Sequence, residues 1–218
     1  MSKYEKQRER MVKYQVEGRG VHSDVVLAAM RKVPREQFIP EYERAYAYND
    51  GPLPIGEGQT ISQPFVVAFM IEALKLDGGE KVLEIGTGSG YAAAVLAEVA
   101  GDVYTIERLP DLAERSTQLL AQLGYDNVHV RCGDGTLGWP EQAPFGGIVV
   151  TAGGPDVPVS LREQLAVGAS LVIPVGDTKS YQELRRVTRV AEDDYESETL
   201  TAVRFVPLVG EQGWPTEY

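Results

Sequence analysis

The chain has one cysteine, Cys132, in 218 residues. A lone cysteine excludes an intramolecular disulfide and fits a reducing compartment, so the expected location is the cytoplasm. There are two histidines, His22 and His129. With one cysteine they are too few for a zinc centre, and no metal is expected. No apolar run approaches the roughly 20 residues that cross a bilayer. The N-terminus is charged from Lys3 to Arg10 with no apolar run behind it, so neither a signal peptide nor a membrane partner is expected. Basic residues are in deficit: 21 Lys and Arg face 32 Asp and Glu, a formal net charge of −11. That balance argues against nucleic acid as a partner, because phosphate contacts rely on clustered cations. The length fits one domain, 1–218, divided into N-terminal helices with a functional loop (1–78) and an α/β core with C-terminal strands (79–218). The expected form is a monomer.

The most informative stretch present is Lys81–Tyr91, KVLEIGTGSGY. Its first half is strand-like, with Val82, Leu83 and Ile85. Glycine then recurs at Gly86, Gly88 and Gly90, and the helix-forming run AAAVLAEVA follows. Strand, tight glycine turn and helix open a nucleotide-binding βα unit. Glycine lets backbone approach a ligand where a side chain would block it. The second strand, DVYTIE, ends in Glu107, placed to accept hydrogen bonds from two ribose hydroxyls. Dinucleotide sites use G-x-G-x-x-G. Here the spacing is G-x-G-x-G with Glu84 two residues before it. A carboxylate there would repel a pyrophosphate but can orient a cationic amino-acid head group. S-adenosyl-L-methionine carries such a group and a cationic sulfonium, and the pattern resembles motif I of class I methyltransferases.

In chain order, Ser2–Val16 reads as a charged helix closed by Gly18 and Gly20, and Ser23 and Asp24 cap a second helix that Pro34 stops. His22 reads as a surface or capping residue. Phe38, Tyr42, Tyr46 and Tyr48 read as packing. Asn49–Pro64 reads as a long loop, either functional or a connector whose Ser62 caps the apolar helix from Pro64 to Leu76. NVHVRC is a third strand, with His129 structural. Gly133-Asp134-Gly135 follows at its carboxyl end, where Asp134 could accept from an adenine amine. FGGIVVT is a fourth strand and Ala169–Val175 a fifth. Gln182–Ala191 and Leu200–Leu208 pair as an antiparallel hairpin around the acidic turn EDDYESE. The fold class is α/β: a doubly wound, Rossmann-like, mostly parallel sheet with an antiparallel C-terminal hairpin and an N-terminal helical extension.

With these pieces placed, the sequence resembles the protein-L-isoaspartate O-methyltransferases over nearly its whole length. The specific segments are PLPIGEGQTIS (52–62) and VRFVPL (203–208); motif I and G-D-G at 133–135 are more widely shared. The resemblance implies methyl transfer from S-adenosyl-L-methionine, leaving S-adenosyl-L-homocysteine, to the free α-carboxylate of L-isoaspartyl residues in damaged proteins and peptides. The ester then closes to a succinimide, whose hydrolysis regenerates some aspartate. It assigns the active-site role to Ser62. For the cofactor it implies Gln59, Thr60, Ile61, Glu84, Gly86, Thr87, Gly88, Ser89, Gly90, Glu107, Arg108, Gly133, Asp134 and Gly135. For the peptide it implies Ile61, Ser62, Val203, Arg204, Phe205 and Val206. Phe65 departs from the histidine of some members, at a helix start expected to touch the cofactor. Two alternatives stand at this point: a methyltransferase acting on a small molecule or RNA, and a non-enzymatic cofactor-binding scaffold.

Overall fold

The structure, a computed structural model, describes residues 2–178 and 181–215. Its centre is strand β3 (Lys81–Ile85). Helix α4 (Tyr91–Ala97) leads to β4 (Asp102–Glu107), and α5 (Pro110–Gln122) leads to β5 (Val128–Cys132). The chain then crosses back past β3 to β6 (Phe145–Val150), α6 (Val159–Glu163) and β7 (Leu165–Thr178). β8 (Tyr181–Ala191) and β9 (Asp194–Val203) complete a seven-strand sheet ordered β5-β4-β3-β6-β7-β8-β9. β3 through β7 pair in parallel and the last two strands antiparallel. Strand order reverses at β3, so a crevice opens at the carboxyl ends of β3 and β6, where open α/β sheets bind ligands. The expected fold class is thus observed.

The period of two along the strands divides the core. Val82, Val103, Val149 and Val172 face one apolar cluster, shared with α4, α5 and the N-terminal helices. Leu83, Ile85, Ile148, Val150, Leu171 and Ile173 face a second, closed by Phe145 and Leu161. The N-terminal helices are α1 (Lys3–Met11), α2 (Asp24–Lys32) and α3 (Pro64–Ala73). Ser2 and Glu5 form a capping box on α1. Its turns widen over Val12–Val16, tighten over Glu17–Arg19 and end at Gly20 in the left-handed region, φ 103°. Ser23 caps α2 as expected. Glu72 of α3 accepts the His22 and Ser23 N–H groups at 2.7 and 2.6 Å, tying the two helices together.

Three expectations are corrected. The 49–64 loop contains a hairpin, β1 (Leu53–Gly56) with β2 (Gln59–Ile61). Its two-residue turn is Glu57-Gly58, both with positive φ (51° and 67°). That is the geometry Asn-Gly usually signals, and glutamate hides the signal. Second, Ser62 does not cap α3: Gln63 holds that position and Pro64 begins the helix. Third, the acidic stretch EDDYESE is not the final turn. Only Glu192 and Asp193 turn, and Asp194–Glu198 are strand, with 204–208 leaving the sheet. Acidic side chains suit this exposed edge because arginines lie opposite: Arg186 Nε donates to Glu198 Oε1 at 2.8 Å.

Candidate active site

Two cavities meet above the carboxyl ends of β3 and β6. The first, with about 560 Å³ of empty space, is lined by the glycine turn (Gly86, Gly88), the β4 tip (Ile106, Glu107, Arg108), Gly135, Gln59 and Thr60. The second is a larger open groove between Ser62, Phe65 and Phe69 on one side and Thr201–Pro207 on the other. Thr60, Thr151, Val206 and Pro207 line both, so the two spaces share a wall. A two-reactant site needs this arrangement: each reactant has its own recess, and the reacting atoms meet at the partition.

The glycine turn has the shape its sequence requires. Gly86, Gly88 and Gly90 have φ of 98°, 53° and 86°. A Cβ on Gly86 would lie 2.3 Å from Thr151 Oγ1. Glu107 braces the turn, accepting the Gly88 N–H at 2.9 Å and the Leu109 N–H at 3.0 Å, with its carboxylate at the cavity wall. The Ser89 hydroxyl accepts from Tyr91 N–H at 3.4 Å at the start of α4.

Other expected residues lie elsewhere. Glu84, expected beside a ligand head group, is wholly buried and is not among the residues that line the cavity. Its cross-strand neighbour is Thr105, whose hydroxyl donates to Oε2 at 2.6 Å and is itself 2.6 Å from the Thr87 hydroxyl. Burial, opposed by that hydrogen bond and assisted by the Glu107 charge, raises the Glu84 carboxyl to about 8. Ile61 turns into the apolar core, 4% exposed, because it pairs with Leu53 across the hairpin. Gly133 donates to the Glu107 carbonyl at 2.9 Å and neither it nor Asp134 lines the cavity. Asp134 Oδ1 accepts the Thr136 N–H and hydroxyl at 2.9 and 2.7 Å, and Oδ2 accepts the Glu211 N–H at 2.8 Å. Its carboxylate thus clasps the C-terminal segment.

The groove gathers Ser62 with Val203, Arg204, Phe205 and Val206. Among the described residues the Ser62 hydroxyl has no hydrogen-bond partner. Phe65 faces this groove rather than the first cavity; it stacks on Phe69 at 5.5 Å and carries the Arg19 guanidinium at 4.1 Å. Sequence reasoning missed Arg19 and Thr151. A polar residue ending the apolar run IVV signals Thr151; it donates to the Ile85 and Gly86 carbonyls at 3.0 and 2.8 Å. Nothing local marks Arg19, which reaches the groove because the Val12–Val16 turns just before it pack beside α3.

Comparison with known proteins agrees with this geometry. The family Protein-L-isoaspartate(D-aspartate) O-methyltransferase (PCMT) matches residues 6–213. Protein-L-isoaspartate O-methyltransferase 1 of Rhodopseudomonas palustris (strain HaA2) is 62% identical over 208 residues, covering 95% of this chain and 85% of that protein. Protein-L-isoaspartate O-methyltransferase 2 of Marinobacter nauticus is 57% identical, covering 95% of both chains. A solved protein-L-isoaspartate O-methyltransferase superposes with TM-score 0.86 at 31% identity, covering 94% of this chain and 67% of the other. A crystal structure described as a putative protein-L-isoaspartate O-methyltransferase from Plasmodium falciparum, in complex with S-adenosyl-L-homocysteine, gives 0.77 at 26% identity, covering 96% and 99%. On the match of sequence and of fold along its length, this chain belongs to the protein-L-isoaspartate(D-aspartate) O-methyltransferase family.

Proposed function

We propose that the chain is a repair enzyme that moves a methyl group from S-adenosyl-L-methionine to the free α-carboxylate of L-isoaspartyl residues in damaged proteins and peptides. The observation that carries this reading is the wall shared by the two cavities. The first fits the donor: Gly86 and Gly88 of the turn lie along it without side chains and Glu107 presents a carboxylate to it. When bound there, S-adenosyl-L-methionine supplies an electrophilic methyl group.

The chain's own residues then do three things. Ser62 donates a hydrogen bond to the substrate carboxylate and aims one oxygen at the partition. Thr60, Thr151 and Val206 form that partition and exclude water from it. No general base is assigned, because a carboxylate with a pKa near 4 is already ionised at neutral pH. Holding both reactants in line can supply roughly 7–11 kcal/mol in favourable cases. The peptide lies extended along Val203–Val206. Phe205 N–H is taken by Gln182 and the Val206 carbonyl by Gly153, leaving the Arg204 peptide groups to meet it. Arg204 and Arg19 place two cations in the groove of an otherwise acidic protein. The enzyme works as a cytoplasmic monomer.

Transfer of labelled methyl groups to matched peptides, one isoaspartyl and one aspartyl, tests the reading. Transfer to the isoaspartyl peptide alone is expected; equal labelling of both, or of neither, would sink it. In the same assay Ser62→Ala should lower turnover strongly with donor affinity little changed.

A further inference from the structure

Arg35 is fully buried, and among the described residues no carboxylate pairs with it. Taking a guanidinium out of water without a counter-ion costs several kcal/mol, and its hydrogen bonds offset this only in part, since Nη1 is buried with no partner among the described residues. They are few and specific. Nε donates to the Ala47 carbonyl at 2.8 Å, and Nη2 donates to the Ser62 carbonyl at 2.8 Å. These carbonyls are the two ends of the stretch 48–61, which contains the hairpin β1–β2. The guanidinium also lies over the ring of Tyr91, 4.8 Å from its centroid. Tyr91 is the first residue of α4, directly after the glycine turn, and Phe38 packs edge-on to it at 5.7 Å. One planar cation thus touches both ends of the active-site loop and the helix that follows the donor turn.

We infer that Arg35 is the positioning residue of this site: it clamps the ends of 48–61 together and sets the Ser62 carbonyl, and with it the Ser62 hydroxyl, relative to the glycine turn. Two features of arginine suit the task. Its fork directs separate N–H groups at two acceptors, and its flat face stacks on an aromatic ring. Lysine has one compact charge and can do neither in the same way. Within the loop so closed, Tyr48, Ile55 and Ile61 are buried in the core and Arg115 Nη2 donates to the Ile55 carbonyl at 3.4 Å, while Arg35 joins its two ends. Arg35 touches neither cavity, so its effect on the reaction must pass through Ser62.

This inference rests on the role given to Ser62, and a double-mutant cycle separates the two. Arg35→Lys should lower kcat by about tenfold to a hundredfold, the scale on which misplacing a reacting group is felt. The KM for the isoaspartyl peptide and the Kd for S-adenosyl-L-homocysteine should move by less than about threefold, since uniform binding is retained. Hydrogen exchange in 48–61 should quicken while that in β3 and β4 stays unchanged. In the Ser62→Ala background the same change should cost almost nothing further, because one lost alignment cannot be lost twice. Should Ser62→Ala leave turnover intact, the role of Ser62 fails and this inference with it. Should Ser62→Ala slow turnover while Arg35→Lys keeps its full effect in that background, only the Arg35 inference is overturned. Failure of both Arg35→Lys and Arg35→Met to fold would make the guanidinium a requirement of the fold itself and would also overturn it.

Discussion

Glu84 is an acid whose surroundings favour its neutral form. It receives one hydrogen bond, from Thr105, and its Oε1 is buried with no partner among the described residues. With a folded pKa of about 8 against an ordinary 4.5, the folded chain keeps a proton that the unfolded chain has already released. Stability from this group is therefore complete below about 4.5 and declines as pH rises to about 8, then levels off. Glu84→Gln imitates the neutral acid. It should melt close to the parent at about pH 5 and several degrees higher at about pH 9, because each tenfold change in proton affinity is worth about 1.4 kcal/mol. Parallel melting curves across that range would show that Glu84 is ionised in the fold. Gly86 is a residue of the opposite kind, needed for what it lacks. Gly86→Ala adds a Cβ 2.3 Å from Thr151 Oγ1 on a backbone with φ 98°. It should cost roughly 1–3 kcal/mol in unfolding free energy. Calorimetry of S-adenosyl-L-homocysteine binding should show a weakened site as well.

The elements that complete the site are short and owe their shape to tertiary contacts. The C-terminal segment from Leu208 to Trp214 is one. Asp134 and Thr136 hold the Glu211 and Gln212 N–H groups, and Trp214 Nε1 donates to the Gly153 carbonyl at 2.9 Å. Asp134→Asn turns one acceptor into a donor facing the Glu211 N–H. It should destabilise the fold by about 1–3 kcal/mol, with faster hydrogen exchange at Glu211 and Gln212 and unchanged donor affinity. A fall in donor affinity with stability intact would instead give the carboxylate to the adenine. From the sequence, G-D-G reads equally well as a ligand loop or a clasp, because the distinction depends on a segment 77 positions away in the chain. The glycine turn carries no such ambiguity. Its spacing, the strand before it and the helix after it are contiguous, and Glu107 closes on Gly88 from the next strand.

At the scale of the molecule, a formal charge of −11 on 218 residues opposes compaction. Raising salt from about 10 mM to about 150 mM shortens the screening length from roughly 30 to 8 Å. The melting temperature should rise over that range; a fall would mean that ion pairs such as Lys32–Glu98 outweigh the net repulsion. The sequence by itself determined the parallel sheet, the donor turn and the family, because each is encoded in contiguous runs whose period or glycine spacing permits few alternatives. The tertiary structure alone decided which side chains face the site. It turned Ile61 and Glu84 inward, bonded Asp134 to the C-terminal segment, brought Arg19 and Thr151 to the cavities, and buried Arg35 between two carbonyls and a ring. The physical reason is that orientation in a folded chain depends on partners distant in sequence, and a local pattern carries no record of them.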